Sequence, residues 1–351
     1  MERKNVGILF GGVSPEHEVS LRSGQCILEH LDPERYAVYP IGITKAGNWL
    51  LYGSRDYQAL PDGSWEQCPE NVPAMISPVR GQGLLIFRET GLEQVPLDVV
   101  FPVLHGQNGE DGSVQGLMQL AGIPCVGPGV GASAAAMDKT VTKLMADREQ
   151  IPQAAWELVR RGELRDFAAL AERIESRFSY PVFVKPAGTG SSVGVSKVKS
   201  REGLFAALET AARYDEKVLV EEFISGQEVE VAVLGNEEPR ASICGEIDSG
   251  VEFYDYDAKY ITDTSRAYIP ARISPQAAKT VQETAVKIYA ALGCRGLSRV
   301  DFFVGPTGKV TFNEINTIPG FTSISMYPKL WQAGGLSITD LISQLLELAM
   351  A

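Results

Sequence analysis

Ser298-Arg299-Val300-Asp301-Phe302-Phe303-Val304-Gly305-Pro306-Thr307-Gly308-Lys309-Val310-Thr311-Phe312-Asn313-Glu314-Ile315-Asn316-Thr317-Ile318-Pro319-Gly320 is the stretch on which the fold turns. Two β-rich runs, 300–304 and 310–315, flank Gly305-Pro306-Thr307-Gly308, which predicts a hairpin with a short loop. Side chains alternate along a strand, so Arg299, Asp301 and Phe303 share one face, as do Phe312, Glu314 and Asn316. With the loop closed by Val304 opposite Lys309, Asp301 pairs with Phe312 and Arg299 with Glu314, and all six lie on the same side. That face carries two carboxylates, an amide oxygen and a guanidinium among phenylalanines. Oxygen ligands so grouped suit a hard cation such as Mg²⁺, which keeps coordination sites for water or nucleotide phosphates. A plain sheet surface with an Arg–Glu cross-strand pair accounts for the same residues, so the rest of the chain must decide.

At 351 residues the chain has room for about two or three domains with filled cores. A net charge of −12 argues against nonspecific nucleic-acid binding, because phosphate backbones reward a surplus of Lys and Arg. A local basic pocket for ATP is still compatible with it. Cys26, Cys68, Cys125, Cys244 and Cys294 are dispersed without CxxC spacing and read as reduced thiols. No long apolar signal region or transmembrane run is visible, so a cytoplasmic protein with no membrane partner is expected.

Residues 6–10 form an apolar run ending at Gly11-Gly12, a buried strand leaving into a loop. Helical spacing from Ser20 through Leu31 and a second strand at 36–43 complete a βαβ unit. No GxGxxG follows the first strand, so NAD is not predicted. Residues 47–93 have weak periodicity and read as a loop or small hairpin insertion. A strand at 95–104 ends in His105-Gly106-Gln107-Asn108-Gly109-Glu110-Asp111-Gly112, a position suited to a ligand or to a plain turn. One helix is expected from Ser133 to about Arg148, with Lys139 and Lys143 one turn apart. Lys185-Pro186-Ala187-Gly188-Thr189-Gly190-Ser191-Ser192-Val193-Gly194-Val195 is the richest glycine loop; its N–H groups can close around a phosphate, although it is not a P-loop. The aromatic, aperiodic stretch 253–268 reads as an active-site lid. Helices are expected at about 275–292 and 338–350.

This set of motifs resembles the D-alanine–D-alanine ligases of the ATP-grasp superfamily over nearly the full length. The resemblance rests on His17-Glu18-Val19-Ser20, His105-Gly-x-x-Gly-Glu-Asp-Gly112, Met137-Asp138-Lys139, and Lys185-Pro186 with Gly190-Ser191-Ser192-Val193-Gly194. It continues through Asp255-Tyr-x-Ala-Lys-Tyr260 and Asn313-Glu314-Ile-Asn-Thr-x-Pro-Gly320 with Ser325. It implies an α/β protein: an ATP-grasp fold preceded by a Rossmann-like α/β domain. The expected boundaries are 1–127 for the N-terminal domain, 128–221 for the central ATP-grasp subdomain and 222–351 for the C-terminal subdomain with lid and metal site. The implied activity is ATP-dependent joining of two D-alanines through a D-alanyl phosphate, for peptidoglycan precursor synthesis.

The resemblance also implies roles. Asp301, Glu314 and Asn316 match ligands of Mg²⁺ (or Mn²⁺), two ions on the ATP phosphates. Lys139, Lys185 and lid Lys259 match phosphate contacts beneath the loop of Ser191, Ser192 and Val193. Glu221 and Glu228 match acids near the adenine and ribose, with Glu222 and Ile224 main chain on the base edge. Arg299 and the Gly320 N–H match an oxyanion hole. Glu18 is expected on the first D-alanine's ammonium, tied with Ser191 and Tyr260 on closure, and His105 near its carboxylate. Ser325 and Met326 are expected at the second D-alanine's carboxylate. Tyr260, where lactate-forming relatives have His, and Met326, where serine-forming relatives have Arg, favour D-alanine over D-lactate or D-serine. A non-catalytic ATP-binding protein of this fold is the rival from another class. A homodimer is expected from the resemblance.

Overall fold

The computed structural model describes residues 3–248 and 266–351, arranged on three sheets. The first has seven strands in the order Gly91–Val95, Leu84–Arg88, Val72–Ile76, Trp49–Leu51, Tyr36–Ile43, Lys4–Gly11, Val99–Pro102. The last three are parallel, as a βαβ crossover through the helix His17–His30 requires. The stretch 47–93, expected as a loop or small hairpin insertion, enters the hairpin Leu84–Arg88/Gly91–Val95 and adds two further short antiparallel strands, so that four strands widen this sheet. Its periodicity is weak because the strands are brief and the connecting residues sink inward. Trp65 is fully buried, edge-on to Phe10 at 5.1 Å, over Gly42, where a Cβ would lie 2.2 Å from the indole.

The second sheet is antiparallel, in the order Ser196–Val198, Val182–Pro186, Lys217–Glu222, Trp156–Arg160. Phe167–Arg177 and Arg201–Tyr214 bury Leu170, Ile174, Leu204 and Leu208 against its Val159, Val184 and Val218. The third sheet runs Arg266–Tyr268, Gly245–Asp248, Gln227–Leu234, Leu297–Val304, Val310–Asn316, with Arg240–Ala241 paired to Gln227–Leu234. Val281, Ala285 and Ile288 of the helix Pro275–Ala291 recur at helical spacing and pack on Val229, Val231, Val300 and Phe302. On the other face, Ala232, Leu234 and Leu297 share one core with Phe10, Ile27 and Phe101 of the first sheet and with the helices Met326–Ala333 and Ile338–Met350. The first and third sheets are thereby cemented together.

Two local expectations are corrected. The helix from Ser133 to Arg148 is two, Val130–Met137 and Lys139–Arg148, separated at Asp138, whose backbone is extended (ψ 101°) and whose carboxylate caps the Thr140 N–H at 2.9 Å. In the hairpin, Val304 pairs with Val310 and Phe302 with Phe312; an extra residue, Asn313, then places Glu314 opposite Asp301 and Asn316 opposite Arg299. The expected pairs Asp301–Phe312 and Arg299–Glu314 are not made. The loop closes one residue later than expected, so Phe312 leaves the polar face and packs edge-on against Phe302 at 5.9 Å in the core; the bulge then resets the alternation.

Candidate active site

A cavity of about 610 Å³ opens between the three sheets. From the second sheet, alternation directs Lys185 and Glu221 into it. Lys185 Nζ donates to Glu221 Oε2 at 2.9 Å, and Lys143 Nζ lies 3.2 Å from Oε1. Burial alone would raise the Glu221 carboxyl, but the two ammonium groups outweigh it and hold it down at about 2. Burial pulls Lys143 below the usual lysine value, whereas at Lys185 the carboxylates outweigh burial and raise it. Lys139 Nζ donates to the Thr189 carbonyl at 2.7 Å and stands 3.8 Å from Glu314.

From the third sheet, the Arg299 guanidinium sits bidentate on Asp301 at 2.8 and 2.7 Å, with Glu230 at 3.1 Å from Nε. Despite burial, these carboxylates raise Arg299 well above the ordinary value, so it is a permanent cation. Asn316 Nδ2 donates to Asp301 Oδ2 at 3.1 Å. Glu228 lines the same wall. Asp301, Glu314 and Asn316 form a hard oxygen donor set, and cations already face both carboxylates. A carboxylate has lone pairs beyond those Arg299 uses, so the set fits a divalent ion shared with phosphates. Among the described residues no group of three His, Cys, Asp or Glu side chains forms a metal cluster, which leaves this mixed set as the candidate.

The glycine loop reaches the cavity through Ser191 and Ser192, both left-handed (φ 48° and 59°). Ser191 Oγ donates to Glu16, which enters from the first sheet's side. The remaining wall includes His105, Glu110, Gly320, Ser325 and Met326. Ser325 begins the helix Met326–Ala333, and its Oγ lies 2.8 Å from the Thr322 hydroxyl.

The D-ala D-ala ligase N-terminus model matches residues 5–128 and the D-ala D-ala ligase C-terminus model residues 145–347. The chain belongs to the D-alanine–D-alanine ligase family. It is 49% identical to the D-alanine–D-alanine ligase of Acetivibrio thermocellus (99% of this chain, 96% of the relative) and 47% identical to that of Clostridium acetobutylicum (99% and 98%). Among solved structures it is similar to the VanG D-Ala:D-Ser ligase from Enterococcus faecalis (TM-score 0.91, 40% identity, 99% and 100% coverage). The D-alanine–D-alanine ligase from Coxiella burnetii is also similar (TM-score 0.87, 35% identity, 100% and 94%). The fold is the α/β ATP-grasp of this family.

Within that family frame, most residues expected from the sequence line one cavity: His105, Lys139, Lys185, Ser191, Ser192, Glu221, Glu222, Ile224, Glu228, Arg299, Asp301, Glu314, Asn316, Gly320, Ser325 and Met326. Val193 lies in the loop but off the lining, and the Glu222 N–H is taken by the Ala155 carbonyl at 3.0 Å. Lys259 and Tyr260, with residues 253–265 of the expected lid, lie outside the described residues; the last three residues of that stretch, Arg266–Tyr268, form a strand paired with Gly245–Asp248. Glu18 is corrected. It is half-exposed, paired with Lys45 and away from the cavity, whereas Glu16 lines it. Two residues at a helix start turn the side chain by about 200°, so the two acids face opposite ways. The sequence reasoning also missed Lys143, Glu110 and Glu230 as site groups. Lys143 was visible one turn from Lys139, and Glu110 in the His105–Gly112 loop. Glu230, two residues along the strand from Glu228, was visible by alternation alone.

Proposed function

We propose that this chain catalyses ATP-dependent joining of two D-alanines, through D-alanyl phosphate, for peptidoglycan precursor synthesis. The observation that carries the reading is the convergence of the Asp301–Glu314 carboxylates, the Arg299 cation and Lys139 and Lys185 beneath the glycine loop in one cavity. Two divalent ions, Mg²⁺ or Mn²⁺, held by Asp301, Glu314 and Asn316, would neutralise phosphate charge. Lys139, Lys185 and Lys259 bind the phosphates. Ser191, Ser192 and Val193 cover them, and Glu221, Glu222, Ile224 and Glu228 hold the nucleoside. Glu16 holds the first substrate's ammonium. The first D-alanine's carboxylate attacks the γ-phosphate, releasing ADP and leaving an acyl phosphate. The second substrate's amine, its carboxylate held at Ser325 and Met326, then attacks that carbonyl. Arg299 and the Gly320 N–H face the oxyanion that forms, which collapses to dipeptide and phosphate. Tyr260 and Ser191 close the site and exclude water from the acyl phosphate.

Met326 is buried and apolar, which supports D-alanine rather than D-serine in the second place. The reading carries with it a cytoplasmic homodimer with neither nucleic-acid nor membrane partners, and domains 1–127, 128–221 and 222–351. Among the described residues no helix is long and apolar enough to cross a membrane. Phosphate release from ATP, Mg²⁺ and D-alanine tests the activity. No release above the blank overturns it, and faster release when D-lactate or D-serine is added moves the assignment to those ligases.

A further inference from the structure

Three side chains of the first sheet's body grip the main chain of residues 318–321. Ile318 presents its carbonyl to His105 Nδ1 at 3.0 Å and its N–H to Glu110 Oε1 at 3.3 Å. The Phe321 N–H donates to Ser23 Oγ at 3.1 Å. A carbonyl only accepts, so the network assigns the His105 hydrogen to Nδ1. Nε2 is then the acceptor for the Ser23 hydroxyl at 3.2 Å. Glu110 Oε2 accepts the Gly106 N–H at 2.9 Å, which ties the grip back to its own loop. Pro319 and Gly320 are therefore held from both sides. Gly320 has no slack either, since a Cβ there would lie 2.7 Å from Ser325 Oγ.

We propose that Glu110 is a positioning residue for the ligation: with His105 and Ser23 it fixes the peptide planes flanking Pro319-Gly320 and so aims the Gly320 N–H. This rests on the reading of that N–H as an oxyanion donor. A carboxyl group is required because, ionised or protonated, it turns a lone pair of each oxygen to one N–H group; an amide offers one oxygen and turns its own N–H₂ toward the second donor. The clasp joins residues about two hundred positions apart, Glu110 to Ile318 and His105 to Ile318, so it also couples the placement of the donor to the docking of the two bodies. Burial, with the Glu16 charge adding to it, pushes the Glu110 carboxyl up to about 8, against the opposing pull of the two N–H groups and the Arg299 charge.

The test compares wild type, Glu110→Gln and the control Asp111→Asn, whose carboxylate accepts only from Asn108 and Ser113 of its own turn. The expected result for Glu110→Gln is a kcat about ten- to a hundredfold lower, with the KM for ATP within about twofold and the melting temperature kept. Amide hydrogen exchange across residues 318–321 should be faster in that variant, a readout independent of turnover. Asp111→Asn should match wild type in both. Unchanged exchange or unchanged kcat in Glu110→Gln overturns the clasp, as does an equal loss in Asp111→Asn. A wild type without D-alanine-dependent phosphate release instead sinks the functional reading, while the exchange comparison still judges the clasp.

Discussion

The hairpin 297–316 and the turn 14–18 each deliver a carboxylate to the same cavity, by different means. Asp301 and Glu314 stand on adjacent strands whose ladder, bulge included, fixes them, and Arg299 is bidentate on Asp301. Glu16 stands at the entry to the helix His17–His30, where no side-chain cap secures the first turn, and its contact is the Ser191 hydroxyl on the glycine loop. The hairpin is preorganised by main-chain bonds that exist whether or not substrate is present. The turn has its own short bonds, from the Glu16 N–H to Ser14 Oγ at 3.0 Å and from the His17 N–H to the Ser14 carbonyl at 3.1 Å, but the Glu16 carboxylate meets a loop that itself holds two serines at positive φ. On the proposed function, the carboxylates that would hold the cation for the phosphates stand on the stiff element, and the one that would meet the incoming amino acid stands on the adjustable one.

Glu314→Gln attacks the comparison at its stiff end. The substitution keeps shape and removes a charge from the cation site, so phosphate release should fall about a hundredfold or more while circular dichroism and melting stay near wild type. Near-normal turnover would show that the hairpin face is not the metal site.

Glu221→Gln separates stability from chemistry on the other stiff element. It leaves Lys143 and Lys185 facing a neutral group inside the cavity wall, and breaking such a buried pair costs about 3–5 kcal/mol in urea unfolding at neutral pH. The pH dependence has a definite sign. The carboxyl lies at about 2 in the folded chain, below its ordinary 4.5. Its contribution is therefore present above 4.5 and lost as pH falls from there toward 2. The Gln variant should lose that part of the acid limb. An unaltered limb would mean that the two lysines do not hold Glu221 ionised.

The same contrast explains what was legible in the sequence. Alternation along strands put Asp301 and Glu314 on one face, Lys185 and Glu221 were in place through the family motifs, and the terminal helix needed no revision. The hairpin register was not legible: the loop closes at Val304–Val310, one residue later than expected, which turns Phe312 to the core face, and the bulge at Asn313, which leaves no composition signal, adds a second one-residue shift. The two shifts together amount to two residues, so Glu314 and Asn316 keep the expected face although their cross-strand partners change. Within 47–93 no more than a small hairpin was legible, because three- to five-residue segments give too few alternations to count. At 14–18 there was no ladder to lean on. Where a loop becomes a helix, a motif names several acids, and only the rotation of the first turn decides which one faces inward.

Glu16→Gln and Glu18→Gln, made separately, test that last point with the smallest effects. Glu16→Gln removes the charge that faces the cavity and keeps a hydrogen-bond acceptor for Ser191, so kcat/KM for D-alanine should fall about tenfold or somewhat more, through KM. Glu18 is held below the usual carboxylate range chiefly by its hydrogen bond to Lys45, but both side chains are about half-exposed and screened by solvent. Such a pair contributes about 0–1 kcal/mol, so Glu18→Gln should leave kcat/KM within about twofold and melting nearly unchanged. The reverse order, with Glu18→Gln the more damaging, would mean that the helix His17–His30 starts with a different rotation when substrate is bound. The adjustable end of the site would then extend about half a turn further than the contact between Glu16 and Ser191.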